Sequence, residues 1–150
     1  MIAYPDTSFL CALYRRQVNS SEAAAYFKMM PEALHVSSLL LFEFRQSLRF
    51  QVWLHAQSPL KGFSQMECDQ ALVDLQSDLE SGVTKIIPVD WSDVHHIGER
   101  LSARYTAARG FRAFDLLHVA TALHLNARNF LTFDANQRKA AASEGLKVKP

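Results

Sequence analysis

A chain of 150 residues, 49% of them hydrophobic, carries enough apolar material for one core and is short for two domains. Its 16 basic and 15 acidic side chains leave a net charge of +1, so no global field draws it to nucleic acid or to a membrane. Any polyanionic partner has to be gripped locally.

Cys11 and Cys68 are isolated, with no C-x-x-C spacing and no histidine at ligand spacing, which argues against a zinc site and a disulfide framework and for buried, inert thiols. No charged leader precedes an apolar h-region, and no apolar run approaches the roughly 20 residues of a membrane span. A soluble cytoplasmic protein with no membrane partner is the expectation.

In chain order, IAY before Pro5 is a strand, and Asp6, Thr7 or Ser8 caps a helix running from Phe9 through Tyr14. Ser20 or Ser21 caps a second helix that stops near Pro31. LHVSS is a strand with a serine cap, followed by the helix LLLFEFRQSLRFQVWL, which ends at Ser58-Pro59 and holds Glu43 in its second turn. Ser64 and Glu67 form a capping-box pattern before Cys68, Leu72, Leu75 and Leu79 at helical spacing, and Gly82 stops that helix. A helical hairpin joined through SPLKG results, set as an insertion around 52–82 of a single domain spanning 1–150.

VTKIIPV is the next strand, and Asp90 or Ser92 caps a helix with Val94, Ile97, Leu101 and Tyr105 on one face, ended by Gly110. FDLLHVATALHL is apolar nearly all round, as a helix in the middle of a fold is. NFLTF is a strand, ANQRKAAASEG a terminal helix, and LKVK a closing edge strand. Strands separated by helical crossovers predict a mostly parallel central sheet in a three-layer α/β/α sandwich.

Four carboxylates stand out. Asp6 and Asp134 follow short strands, so in a parallel sheet both sit at its C-terminal edge, where such folds bind ligands. Glu43 lies among Leu39, Leu40, Leu41, Phe42 and Phe44, and a carboxylate there is costly to bury without a partner. Asp115 shares a stripe with His118 and Thr121 on an otherwise apolar helix. Each has a bland alternative: helix capping for Asp6 and Asp134, a solvent stripe with Gln46 and Ser47 for Glu43, a favourable first-turn acid for Asp115. All four bland explanations would have to coincide on one rim. Carboxylates held close together repel and take up protons unless a divalent cation offsets them; hard oxygen ligands suit Mg²⁺ or Mn²⁺, and the implied reaction is phosphodiester hydrolysis.

YPDTSFLCALY, SSLLLFEFRQSL, FRAFDLLHVATAL and FLTFDANQRKAAASEGLKV, in that order, resemble the motifs of the PIN domain and, within it, of the VapC-type toxins of toxin-antitoxin pairs. The likeness covers nearly the whole chain. It implies a PIN-like fold and a metal-dependent endoribonuclease acting on RNA, tRNA or ribosomal RNA by preference, with a cognate antitoxin as partner and a homodimer as the usual assembly. It also implies that Asp6, Glu43, Asp115 and Asp134 are the metal-binding and catalytic carboxylates, with Thr7 or Ser8 assisting Asp6. Asn136 is a candidate to share the role of Asp134. Arg112, one turn before Asp115, reads from its position as a partner of Asp115, a phosphate contact or, equally, an ordinary surface arginine.

Other residues are assigned more modestly. His118 reads as a satisfied core histidine rather than a proton carrier, and His95 and His96 point to different helix faces. Trp53 and Trp91 offer faces for base stacking, but packing in the core or in a dimer is the preferred reading. A PIN-like RNA-binding or scaffold module without turnover is the alternative function. A haloacid-dehalogenase-type phosphatase needs an acid where Ser8 stands, and no nucleotide-cradling glycine motif occurs.

Overall fold

Short apolar runs punctuated by capping residues give five three-residue strands, and β1 and β2 each end directly against a helix cap, Asp6 and Ser37. The computed structural model describes residues 1–150. In chain order the elements are β1 (Ala3–Pro5), α1 (Thr7–Tyr14), α2 (Ser20–Met29), β2 (Leu34–Val36), α3 (Ser38–Gln57), α4 (Gln65–Ser81), β3 (Thr84–Ile86), α5 (Trp91–Arg109), α6 (Ala113–His124), β4 (Asn129–Leu131), α7 (Ala135–Ser143) and β5 (Lys147–Lys149).

The sheet order is β3-β2-β1-β4-β5, and every pairing is parallel rather than most of them. The central strand β1 is buried along its length, as a strand covered on both faces must be. Helices α1 to α4 pack among themselves, and α5 to α7 form the other group, giving the three-layer sandwich that the alternation predicts. Tyr4, Phe9, Phe44, Phe130, Leu40, Leu48 and Leu101 are fully buried in one continuous core. No helix is long and apolar enough to cross a membrane.

Two local details differ from the sequence reading. The cap of α2 is Asn19, with no side-chain bond, because the Ser20 hydroxyl instead donates to the Arg15 carbonyl (2.6 Å) and accepts from the Gln17 N–H (2.9 Å). The hairpin has no boundary at Val52: α3 runs unbroken past it, and α4 sends Cys68, Ala71 and Leu75 into the core. The Ser64 to Glu67 capping box forms as its spacing predicts. Between the hairpin's arms, Gly62 has φ +61°, and a Cβ there would meet the Gln51 carbonyl oxygen at 1.9 Å. Only glycine fits both constraints.

Register sets up the rim of the sheet. Pro5 pairs with Leu131, and the Asp6 N–H continues the ladder to the Leu131 carbonyl at 2.9 Å, so Asp6 and Thr132 lie side by side just past the strand ends. Gly98 lets α5 approach α6 closely, since a Cβ there would stand 3.2 Å from Leu117, and that contact seats the helix bearing Asp115 and His118.

Candidate active site

Asp6 is the cap of α1 and is fully buried. Its Oδ1 accepts from the Phe9 N–H (3.0 Å) and the Ser8 hydroxyl (2.6 Å), and its Oδ2 accepts from the Thr132 hydroxyl (2.5 Å). Burial pushes its pKa up, against the downward pull of Ser8, Thr132 and the Phe9 amide. Ser8 also accepts from the Phe133 N–H (2.9 Å), and Thr132 from the Asp134 N–H (2.9 Å), so these two hydroxyls latch the ends of β1 and β4 together around the carboxylate.

Glu43 projects from the second turn of α3 and stays partly exposed. Its Oε2 accepts from the Thr7 hydroxyl (2.7 Å) and is bonded to Nε2 of His118. Burial alone would raise its pKa, but the hydrogen bond and charge of His118, with Thr7, outweigh it and hold Glu43 below the ordinary glutamate value. His118 is 1% exposed, and its Nδ1 is buried without a partner. Nε2 is thus the ring nitrogen turned to the carboxylate, and Nδ1 faces no polar group.

Asp115 lies half-buried in the first turn of α6. Burial raises its pKa first, and the negative charges of Asp134 and Glu43 raise it further, while His118 and Arg112 pull the other way. Asp134 caps α7 by accepting from the Gln137 N–H at 2.7 Å. Gln137, 4% exposed, points its side-chain amide at Asp115, with Nε2 3.4 Å from Oδ1, and thereby touches both carboxylates.

The sequence predicts one cluster of four carboxylates, and the structure sorts them into three hydrogen-bonded groups. Asp6 is enclosed by Ser8, Thr132 and Phe9; Glu43 is held by Thr7 and His118; Asp115 and Asp134 are bridged by Gln137. No three His, Cys, Asp or Glu side chains are drawn together as a ready-made metal cage. The donor chemistry nevertheless suits a hard divalent cation: the four acids are oxygen donors, and the mutual repulsion felt by Asp115 is the kind that such a cation relieves. Arg112 is exposed at the start of α6 and makes no cap bond, acting on Asp115 through its charge, and Asn136 is exposed on α7.

Three participants escape a sequence reading. Thr132 passes for an ordinary β-branched strand residue, and Gln137 for part of the solvated run ANQRK, although Asp134-x-x-Gln137 carries the spacing of a capping box. His118 is buried, as expected of a core histidine, but its bond is to a carboxylate of the site.

The sequence profile of the PIN domain matches residues 3–143. No curated protein matches by sequence. Among solved structures, the VapC20 toxin of Mycobacterium tuberculosis, described as cleaving the sarcin-ricin loop, aligns over 96% of this chain and 95% of its own at 17% identity and a TM-score of 0.68. VapBC2 of Rickettsia felis, bound to a DNA fragment from its promoter, aligns over 99% and 98% at 16% identity and 0.67. FitAcB of Neisseria gonorrhoeae aligns over 99% and 97% at 18% identity and 0.61. With its profile match spanning nearly every element and its fold shared with these structures, the chain belongs to the PIN domain family.

Proposed function

We propose that the protein is a divalent-metal-dependent endoribonuclease and the toxin of a toxin-antitoxin pair, cleaving tRNA or ribosomal RNA. The observation that carries this reading is the electrostatic state of Asp115: its proton affinity is raised by burial and further by Asp134 and Glu43, carboxylates brought from α7 and α3 to the rim formed by β1 and β4. Such repulsion is tolerated at sites that bind a cation or run proton chemistry.

Asp6, Glu43, Asp115 and Asp134 would hold Mg²⁺ or Mn²⁺, which supplies charge neutralisation at the scissile phosphate and a more acidic water. The chain's own contribution is orientation. Thr7 and His118 keep Glu43 fixed and charged, and Ser8 and Thr132 fix Asp6 from behind. Gln137 sets the spacing of Asp115 from Asp134. Arg112, exposed one turn before Asp115, is placed to meet a phosphate.

RNA cleavage by the purified protein tests the reading. Cutting with Mg²⁺ or Mn²⁺ that is abolished by Asp6→Asn or Asp115→Asn is expected, and cutting that persists in EDTA contradicts it. The structural relatives include complexes named as VapBC and FitAcB assemblies, which supports a protein antitoxin as partner. Co-expression of a small neighbouring reading frame should restore growth. The protein is further expected to be a homodimer in solution, a matter for a mass measurement.

A further inference from the structure

Asp134 and Gln137 stand at the cap and at the third helical position of α7, the spacing at which a reciprocal capping box closes. Half of the box forms, since the Gln137 N–H donates to Asp134 Oδ1 at 2.7 Å. The other half would have Gln137 Oε1 accept from the Asp134 N–H, but that N–H already donates to the Thr132 hydroxyl at 2.9 Å. Thr132 therefore holds the box open. The Gln137 side chain is turned away from its own helix and toward Asp115 on α6.

The amide is poorly satisfied there. Its only hydrogen bond is a long one, from Nε2 to Asp115 Oδ1 at 3.4 Å, and Oε1 is buried with no partner. Turning the amide over would set oxygen against oxygen at Asp115 and orphan the donors instead. A glutamine 4% exposed with its carbonyl unsatisfied costs the fold stability that an apolar side chain of similar length would not. Capping does not require it, because the bond to Asp134 comes from the backbone of residue 137.

The bond matters more to its acceptor. Asp6 accepts from three donors and Glu43 from Thr7 and His118, whereas the Asp115 carboxylate has Gln137 Nε2 alone. We propose that Gln137 is a positioning residue of the acidic centre: released from capping by Thr132, its amide tethers one oxygen of Asp115 and leaves the other to a cation, at a cost in stability. This inference rests on the cation-binding part of the ribonuclease reading. Donors behind a metal-binding side chain fix its orientation. A neutral amide does so without a positive charge that would compete with the ion.

The test follows Mn²⁺ binding by electron paramagnetic resonance, and thermal unfolding in EDTA, on the full chain and its Gln137→Met variant. Mn²⁺ affinity should fall roughly tenfold. Tm in EDTA should rise by roughly 2–4 °C, because the orphan carbonyl is gone and water can replace the amide at half-buried Asp115. A merely structural role would not move the two readouts in opposite directions. Gln137→Leu should behave alike, which removes any dependence on how a thioether packs. Unchanged Mn²⁺ affinity in both variants, with the wild type binding, would overturn this inference alone and leave the cation reading standing. Weaker binding with a Tm that does not rise would also overturn it, making the amide part of the fold. A wild-type protein that takes up no Mn²⁺ would overturn the cation reading, and this inference with it.

Discussion

Glu43 on α3 and His118 on α6 are joined through Oε2 and Nε2, so the glutamate of one helical group is tied to a buried histidine of the other at the rim of the sheet. That bond, with the one from Thr7, fixes a carboxylate that would otherwise swing into solvent. Replacing His118 by Phe keeps an aromatic ring in the buried site and deletes the hydrogen bond to Glu43. RNA cleavage should fall by roughly 10- to 100-fold, the usual cost of losing the group that orients a metal-binding side chain, while circular dichroism shows the fold retained. Full activity in this variant would mean that Glu43 does not need to be positioned.

Asp115 is held at a cost. Burial, Asp134 and Glu43 all raise its pKa, so its charged form is less favourable folded than unfolded. A carboxyl with a raised folded pKa takes stability away above that pKa and returns it as the pH falls and the group protonates. Asp115→Asn should therefore be more stable than wild type at neutral pH, by on the order of 1 kcal/mol or a few degrees in Tm. The gain should shrink in acid. The same variant should be inactive, the trade of stability for function expected at a site.

Glu144 gives the opposite pH signature, away from the site. Its side chain is 7% exposed and bonds Arg100 (3.1 Å), Arg104 (2.7 Å) and Tyr105 (2.9 Å). Burial pushes its pKa up, but Tyr105 and the two arginines outweigh that and leave it below the ordinary value. Its contribution is present above the unfolded-state pKa and lost as the pH falls through the lower folded one. Glu144→Gln should cost about 1 kcal/mol at pH 7, the arginines being half exposed. Urea melts at pH 7 and in strong acid should show that penalty disappearing.

Thr132→Val is nearly isosteric and removes the donor to Oδ2 of the fully buried Asp6. An unsatisfied buried acceptor costs about 1–3 kcal/mol, and thermal unfolding should report a loss in that range. A neutral result would show that water replaces the hydroxyl.

The fold was legible because its punctuation is local. Ser37, Ser64, Asp90 and Asp134 each cap the helix that their position predicts, and Gly82 and Gly110 end theirs in the left-handed conformation. Strand order and the pairing of Pro5 with Leu131 depend on contacts between distant segments that no local pattern encodes. The acidic residues of the site were legible as exceptions in apolar company. Their partners were not: Thr132 looks like any strand residue, Gln137 like any surface amide, and His118 was placed correctly in the interior without its bond to Glu43 being foreseen. The division of the carboxylates into three hydrogen-bonded groups likewise follows from side-chain geometry at the meeting of β1, β4, α3 and α6.

The most direct test of the acidic centre is Mn²⁺ binding followed by electron paramagnetic resonance on the wild-type protein and on Asp115→Asn. The account predicts uptake by the wild type that weakens at least tenfold in the variant. Equal uptake by both proteins, or none by either, would contradict it.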